Sequence, residues 1–105
     1  MAQQQIIDIV KKYLAVLEKE GIHVEEAYLY GSHAKNEATE ESDIDVLLVS
    51  SVFDNRDDFT AGKVWALTRK VNSLIEPYMM GRKQFNAEET SPSVQIVKQE
   101  GIGVS

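Results

Sequence analysis

The stretch Gly31-Ser32-His33-Ala34-Lys35-Asn36-Glu37-Ala38-Thr39-Glu40-Glu41-Ser42-Asp43-Ile44-Asp45-Val46-Leu47-Leu48-Val49 sets the architecture of this chain. It has three parts. A Gly-Ser pair stops one extended segment. A polar connection follows. Then two carboxylates one residue apart open a run whose apolar end is nearly continuous, as in a strand buried on both faces. Residues i and i+2 of a strand point to the same face, so Asp43 and Asp45 stand side by side with Ile44 turned away. Two ionised carboxylates so placed repel each other. A bound Mg²⁺ relieves that repulsion, because it prefers hard oxygen ligands and keeps positions open for substrate phosphates. Gly31 allows a sharp turn and close approach of backbone to a ligand. Ser32 adds a hydroxyl, and free N–H groups at a helix start there suit a phosphate. The bland alternatives are a plain turn at Gly31-Ser32 and a solvated or capping acid pair. The order and spacing of the two, followed by a buried strand, favour a nucleotide–Mg²⁺ site.

Outward from this stretch, the chain reads helix, strand, strand, helix, strand, helix. From about Gln4 to Glu20, Ile6, Val10, Tyr13, Leu14 and Leu17 fall on one helical face, and Gly21 is a stop. Val24 to Tyr30 reads as a strand rich in tyrosine. Asp54 to Asp58 opens a second helix, with acids suited to its first turn. That helix runs to about Leu74 and buries Phe59, Val64, Trp65, Leu67, Val71 and Leu74 by their spacing. Ile75 to Met80 is a short strand weakened by Pro77. Ser91 caps a last helix with Pro92 at its first position, burying Val94 with Val97 or Ile96 and ending at Gly101. The fold class is α/β, a small mixed sheet with helices packed on it.

With 105 residues the chain is one domain, spanning 1–105. It has no cysteine, so neither a disulfide framework nor a thiolate metal site is available. No apolar run reaches membrane-spanning length, and the N-terminus lacks a signal-peptide pattern; a cytoplasmic location is expected. The net charge of −6 disfavours sequence-independent binding to nucleic acid, which needs a basic footprint. Eight of the seventeen acids lie between Glu37 and Asp58, offset there only by Arg56. Such an acidic centre holds a divalent cation or forms a solvated face. Trp65, Tyr13, Met79 and Met80 read as core or interface residues. His33, Arg69, Lys70, Arg82 and Lys83 read as ordinary structural or solvated positions.

Gly31-Ser32, ten residues, then Asp43-Ile44-Asp45 resembles the signature of the nucleotidyltransferase superfamily that includes DNA polymerase β. The stretch Gly-Ser-x-Ala…Ser-Asp-Ile-Asp-Val-Leu-Leu-Val and the short chain resemble the minimal nucleotidyltransferase (MNT) family in particular. The looser similarity extends through Ile75-Glu76-Pro77 to the terminal segment Ile96-Val97-Lys98-Gln99-Glu100-Gly101-Ile102, which looks like the usual last helix.

The resemblance implies Mg²⁺-dependent transfer of a nucleoside monophosphate, AMP from ATP, to an acceptor hydroxyl, with release of pyrophosphate. It makes Asp43 and Asp45 metal ligands, with two Mg²⁺ ions expected. Glu76 matches the third carboxylate, as metal ligand or as base, where many relatives have Asp. Gly31 and Ser32 would hold the β and γ phosphates. Relatives often carry Arg-Gly where this chain has Lys35-Asn36. Lys35 keeps the charge without the planar fork and is either a phosphate contact or a surface lysine, while Asn36 can adopt the left-handed backbone of glycine. The resemblance also implies a partner, since minimal members look like the antitoxin half of a toxin–antitoxin pair with a helical HEPN-type protein, whose tyrosine takes the AMP. A homo-oligomer stays open. Two other functions compete: a non-catalytic nucleotide-binding or partner-covering module, and a small-molecule nucleotidyltransferase.

Overall fold

The computed structural model describes residues 2–39, 41–55, 57–87 and 92–104, with only the backbone of Ser93. Helix α1 (Gln3–Lys19) buries Ile6, Val10, Tyr13 and Leu17 completely. It ends at Gly21, whose φ of +85° is a left-handed cap, and Ile22 N–H donates back to the Leu17 carbonyl at 2.9 Å. Strand β1 (Glu26–Tyr30) follows, then a single 3-10 turn at Gly31–His33, then β2 (Ile44–Ser50). A second 3-10 turn at Ser51–Phe53 leads to α2 (Asp58–Thr68), β3 (Ile75–Gly81), α3 (Arg82–Ala87), α4 (Pro92–Glu100) and β4 (Ile102–Val104).

The sheet has the order β3-β2-β1-β4 and is mixed: β2 and β3 run parallel, the other pairs antiparallel. Ile44, Val46 and Leu48 face α1 and α2 in one core with Val10, Leu29 and Val64. Leu47 and Val49 face α3 and α4 in a second, with Met80, Phe85, Val94 and Val97. β2 therefore has apolar cover on both faces, which explains its unbroken apolar end. On the α3 and α4 face that cover stops short of Asp45, which is only partly buried, and Asp43 lies just before the strand. Tyr13 joins α1 to α2: its buried hydroxyl donates to the Val64 carbonyl at 2.6 Å, and burial pushes its pKa well up. Pro77 lies in β3, an edge strand, where the loss of one donor is tolerated.

Several expectations need correction. The second helix neither starts at Asp54 nor reaches Leu74. Asp57 caps it, accepting from Phe59 N–H at 3.0 Å and from the Thr60 hydroxyl at 2.9 Å. After Thr68 the chain tightens into i−3 turns, and the Asn72 side chain accepts from Leu74 N–H at 2.8 Å, turning it toward β3. Phe59 and Trp65 are not core residues, being 78 % and 47 % exposed. Ile96 is exposed as well, and Val94 and Val97 are the apolar residues that α4 places in the second core. Strand β1 is two residues shorter than expected. The terminal segment is not helical throughout: after Gly101 it becomes β4, which pairs with Ala27–Leu29 of β1. The short helix α3 was not foreseen. Ser91, the expected cap of α4, lies outside the described residues.

Candidate active site

Asp45 is held by register. Across the sheet, Tyr30 of β1 pairs with Asp45, and Asp45 pairs with Glu76 of β3. The side chains of Tyr30, Asp45 and Glu76 form one row on the face that α3 and α4 only partly cover. Asp43, just before β2, lies on the same face as Asp45 by alternation.

The three carboxylates feel one another. Burial raises the Asp45 pKa above the ordinary aspartate value, with repulsion from Asp43 next; a charge on His33 and hydrogen bonding with Glu76 oppose the rise. Repulsion from Asp43 raises the Glu76 pKa, with desolvation and Asp45 adding to it. Tyr30 is raised chiefly by burial, then by the negative charge of Asp45. Among the described residues, no lysine or arginine forms an ion pair with the three acids. The described residues also contain no three acidic, imidazole or thiol groups converged as a ready-made metal shell. The donor set itself, a crowded group of hard carboxylate oxygens, is chemically suited to a divalent cation.

Gly31 closes the site from the β1 side. Its φ is +76°, and a Cβ there would lie 2.5 Å from Asp45 Oδ2. Both backbone and space demand glycine. Ser32 follows in the 3-10 turn, half-buried. The turn is tied back by Ala34 N–H to the Gly31 carbonyl at 3.1 Å and by Glu37 N–H to the Ser32 carbonyl at 2.9 Å. His33 is buried, with Nε2 3.3 Å from the Ser42 carbonyl, fixing the loop's return to Asp43. Gln3 on α1 donates to the His33 and Ala34 carbonyls at 3.1 and 3.2 Å. Asn36 has φ +58°, the left-handed conformation expected of it.

Gly31, Ser32, Asp43, Asp45 and Glu76 are thus brought together. Lys35 is engaged elsewhere: its ammonium pairs with Glu100 at the end of α4 at 3.0 Å, which raises its pKa. A trough of about 430 Å³ adjoins the carboxylates, with Asp43 and Glu76 on one wall and Trp65 and Arg69 of α2 on the other. Sequence reading assigned neither Trp65 nor Arg69 to the site. Gly62 and Ala66, small residues beside Trp65 on the exposed side of α2, were the available signal of a groove there.

A mixed α/β sheet that sets a Gly-Ser turn against a carboxylate pair and a third acid on the adjacent strand has the architecture of a nucleotide-transferring enzyme. The family of nucleotidyltransferase domains matches residues 7–100, and the chain belongs to that family. It is a nucleotidyltransferase. Comparison with curated proteins finds no match. A crystal structure of a Sulfolobus solfataricus protein, provisionally assigned as a nucleotidyltransferase, superimposes with a TM-score of 0.63 over 97 % of this chain and 81 % of the other. At 16 % identity that likeness speaks for the fold. Among the described residues, no helix is long and apolar enough to cross a membrane.

Proposed function

We propose that this protein transfers AMP from MgATP to a hydroxyl of a protein acceptor. The observation that carries the reading is the row Asp43, Asp45 and Glu76 abutting the Gly31-Ser32 turn. Gly31 and Ser32 hold the β and γ phosphates; Asp43 and Asp45 hold Mg²⁺, with Glu76 as third ligand or as base. Mg²⁺ held by Asp43 and Asp45 would supply neutralisation of the charge that develops during transfer. The acceptor oxygen forms a bond to the α-phosphorus as the bond to pyrophosphate breaks, and the acceptor proton leaves to base or water. Glu76, whose proton affinity its two acidic neighbours raise, is suited to accepting it. The chain's remaining task is orientation, since phosphoryl chemistry asks for positioning and electrostatics. Lys35 reaches a phosphate only by exchanging its Glu100 partner.

The finer reading makes this chain the antitoxin of a pair, modifying a helical HEPN-type partner in the cytoplasm. It is supported by the resemblance to minimal nucleotidyltransferases. The test is incubation with Mg²⁺ and α-labelled ATP in lysate of the source, against the Asp43→Asn, Asp45→Asn variant. A labelled protein seen only with wild type supports the reading. Label confined to a low-mass product makes the acceptor a small molecule; absence of label with intact MgATP binding leaves a binding module.

A further inference from the structure

Trp65, the chain's only tryptophan, is nearly half exposed and lines two troughs at once. On one side lies the trough of about 430 Å³ that reaches Asp43 and Glu76. On the other lies one of about 450 Å³, bounded by Val52, Tyr78 and the acids Asp57 and Asp58. Both run along the open side of β3, the edge strand. Val52 and Tyr78, which line the second trough, are also exposed, at 41 and 53 %. A ridge of aromatic groups on a small acidic domain marks a contact surface rather than ordinary exposure.

Its place relative to the carboxylates matters more. In an in-line displacement the attacking oxygen and the leaving pyrophosphate lie on opposite sides of the phosphorus. The Gly31-Ser32 turn flanks Asp45 from β1; Glu76 flanks it from β3. With the triphosphate on the β1 side, the acceptor must arrive from the β3 side, where the Trp65 trough opens. We propose that the Trp65 ridge is the docking surface for the acceptor, a polypeptide segment that delivers its hydroxyl past Trp65 to Glu76. This rests on the transferase reading above. A polypeptide fits because the two troughs flank Trp65 on either side and charged side chains line both, Asp57 and Asp58 in one and Arg69 with Asp43 and Glu76 in the other. Asp57 and Asp58 meet a basic side chain; Arg69, beside the carboxylates, meets an acidic one near the hydroxyl. Trp and Arg are the residue types that most often dominate such interfaces.

The test repeats the α-labelled ATP transfer in lysate with wild type, Trp65→Ala, Tyr78→Ala and, as an exposed control on α4, Ile96→Ala. MgATP binding is followed in parallel by calorimetry. The expected result is a labelled protein band with wild type and Ile96→Ala that weakens at least about tenfold in both groove variants, with MgATP affinity unchanged. Undiminished labelling in Trp65→Ala and Tyr78→Ala overturns the docking surface while leaving the transferase reading intact. Label in a low-mass product alone overturns the polypeptide occupant. No label with wild type in any fraction overturns protein transfer itself, and the docking surface with it.

Discussion

The Cβ that Gly31 lacks would stand 2.5 Å from Asp45 Oδ2, so the turn and the carboxylate occupy adjoining space with no room for a methyl group. The left-handed φ of +76° adds a second demand for glycine. Gly31→Ala is expected to cost about 1–2 kcal/mol in backbone strain alone. It also pushes the Asp45 carboxylate aside, and a displacement of about 1 Å at a reacting centre costs on the order of a hundredfold in rate. Urea melts and labelled-ATP turnover measure the two losses separately. Turnover within about twofold of wild type would show that Asp45 need not sit where Gly31 leaves it.

On the proposed reading, a bound Mg²⁺ relieves the mutual repulsion of Asp43, Asp45 and Glu76. Mg²⁺ at ten times its dissociation constant is expected to stabilise the wild type by about 1.4 kcal/mol. For a domain of this size that is a rise in melting temperature of roughly 5–10 °C. Asp43→Asn removes the largest source of repulsion on Glu76. This variant should melt at or above the wild type without Mg²⁺ and respond weakly when it is added. An equal Mg²⁺ response in both proteins would place the ion elsewhere.

The contrast between α1 and α2 shows what the sequence could and could not reveal. In α1 the apolar spacing and Gly21 gave the buried face and the stop, because one face packs on a core and the other meets water. In α2, Val64 and Leu67 obey the same rule, but Phe59 and Trp65 face outward. Helical periodicity cannot separate an apolar residue that packs on the core from one that lines a surface groove. β4 was hidden for another reason. Its three residues have no pattern of their own and form a strand only because β1 offers a free edge. Gly101 makes that turn possible: a Cβ there would lie 3.2 Å from the Leu29 carbonyl and press still closer on the Val97 carbonyl. The Gly31, Asp43 and Asp45 cluster was legible because its spacing is local. That Asp45 and Glu76 are opposed depends on parallel register between strands some thirty residues apart, which spacing alone does not fix.

The Tyr13 hydroxyl binds the two helices of one core layer through a single contact with the Val64 carbonyl. Tyr13→Phe keeps the ring and removes that bond, for an expected loss of about 0.5–1.5 kcal/mol. Tyr13→Ala empties a fully buried ring volume and should cost about 3–5 kcal/mol. Denaturant unfolding of the three proteins checks the ratio. A Phe variant as unstable as the Ala variant would assign the stabilisation to the hydrogen bond instead of packing.

At the far end of the sheet from the active site, Arg82 bridges Glu25 at 2.8 Å and Glu26, and its guanidinium lies over the Phe85 ring at 5.9 Å. The Ser51 backbone N–H, then the Ser51 side chain and Arg82, bring the Glu25 carboxyl down to about 2. Bonds from the Tyr28 hydroxyl and then Arg82 lower Glu26. Both folded-state values lie below the unfolded value of about 4.3. The unfolded chain therefore takes up protons first as pH falls, and the stability these groups contribute, complete above that value, is lost on descent toward pH 2. Arg82→Met keeps an apolar contact for Phe85 but removes one of the partners holding each carboxylate ionised. Its stability should fall less steeply between pH 5 and pH 2.5 than that of wild type, while the Ser51 bond preserves part of the slope. Urea unfolding across that range tests this; parallel curves for the two proteins would mean that Arg82 does not set the acid limb.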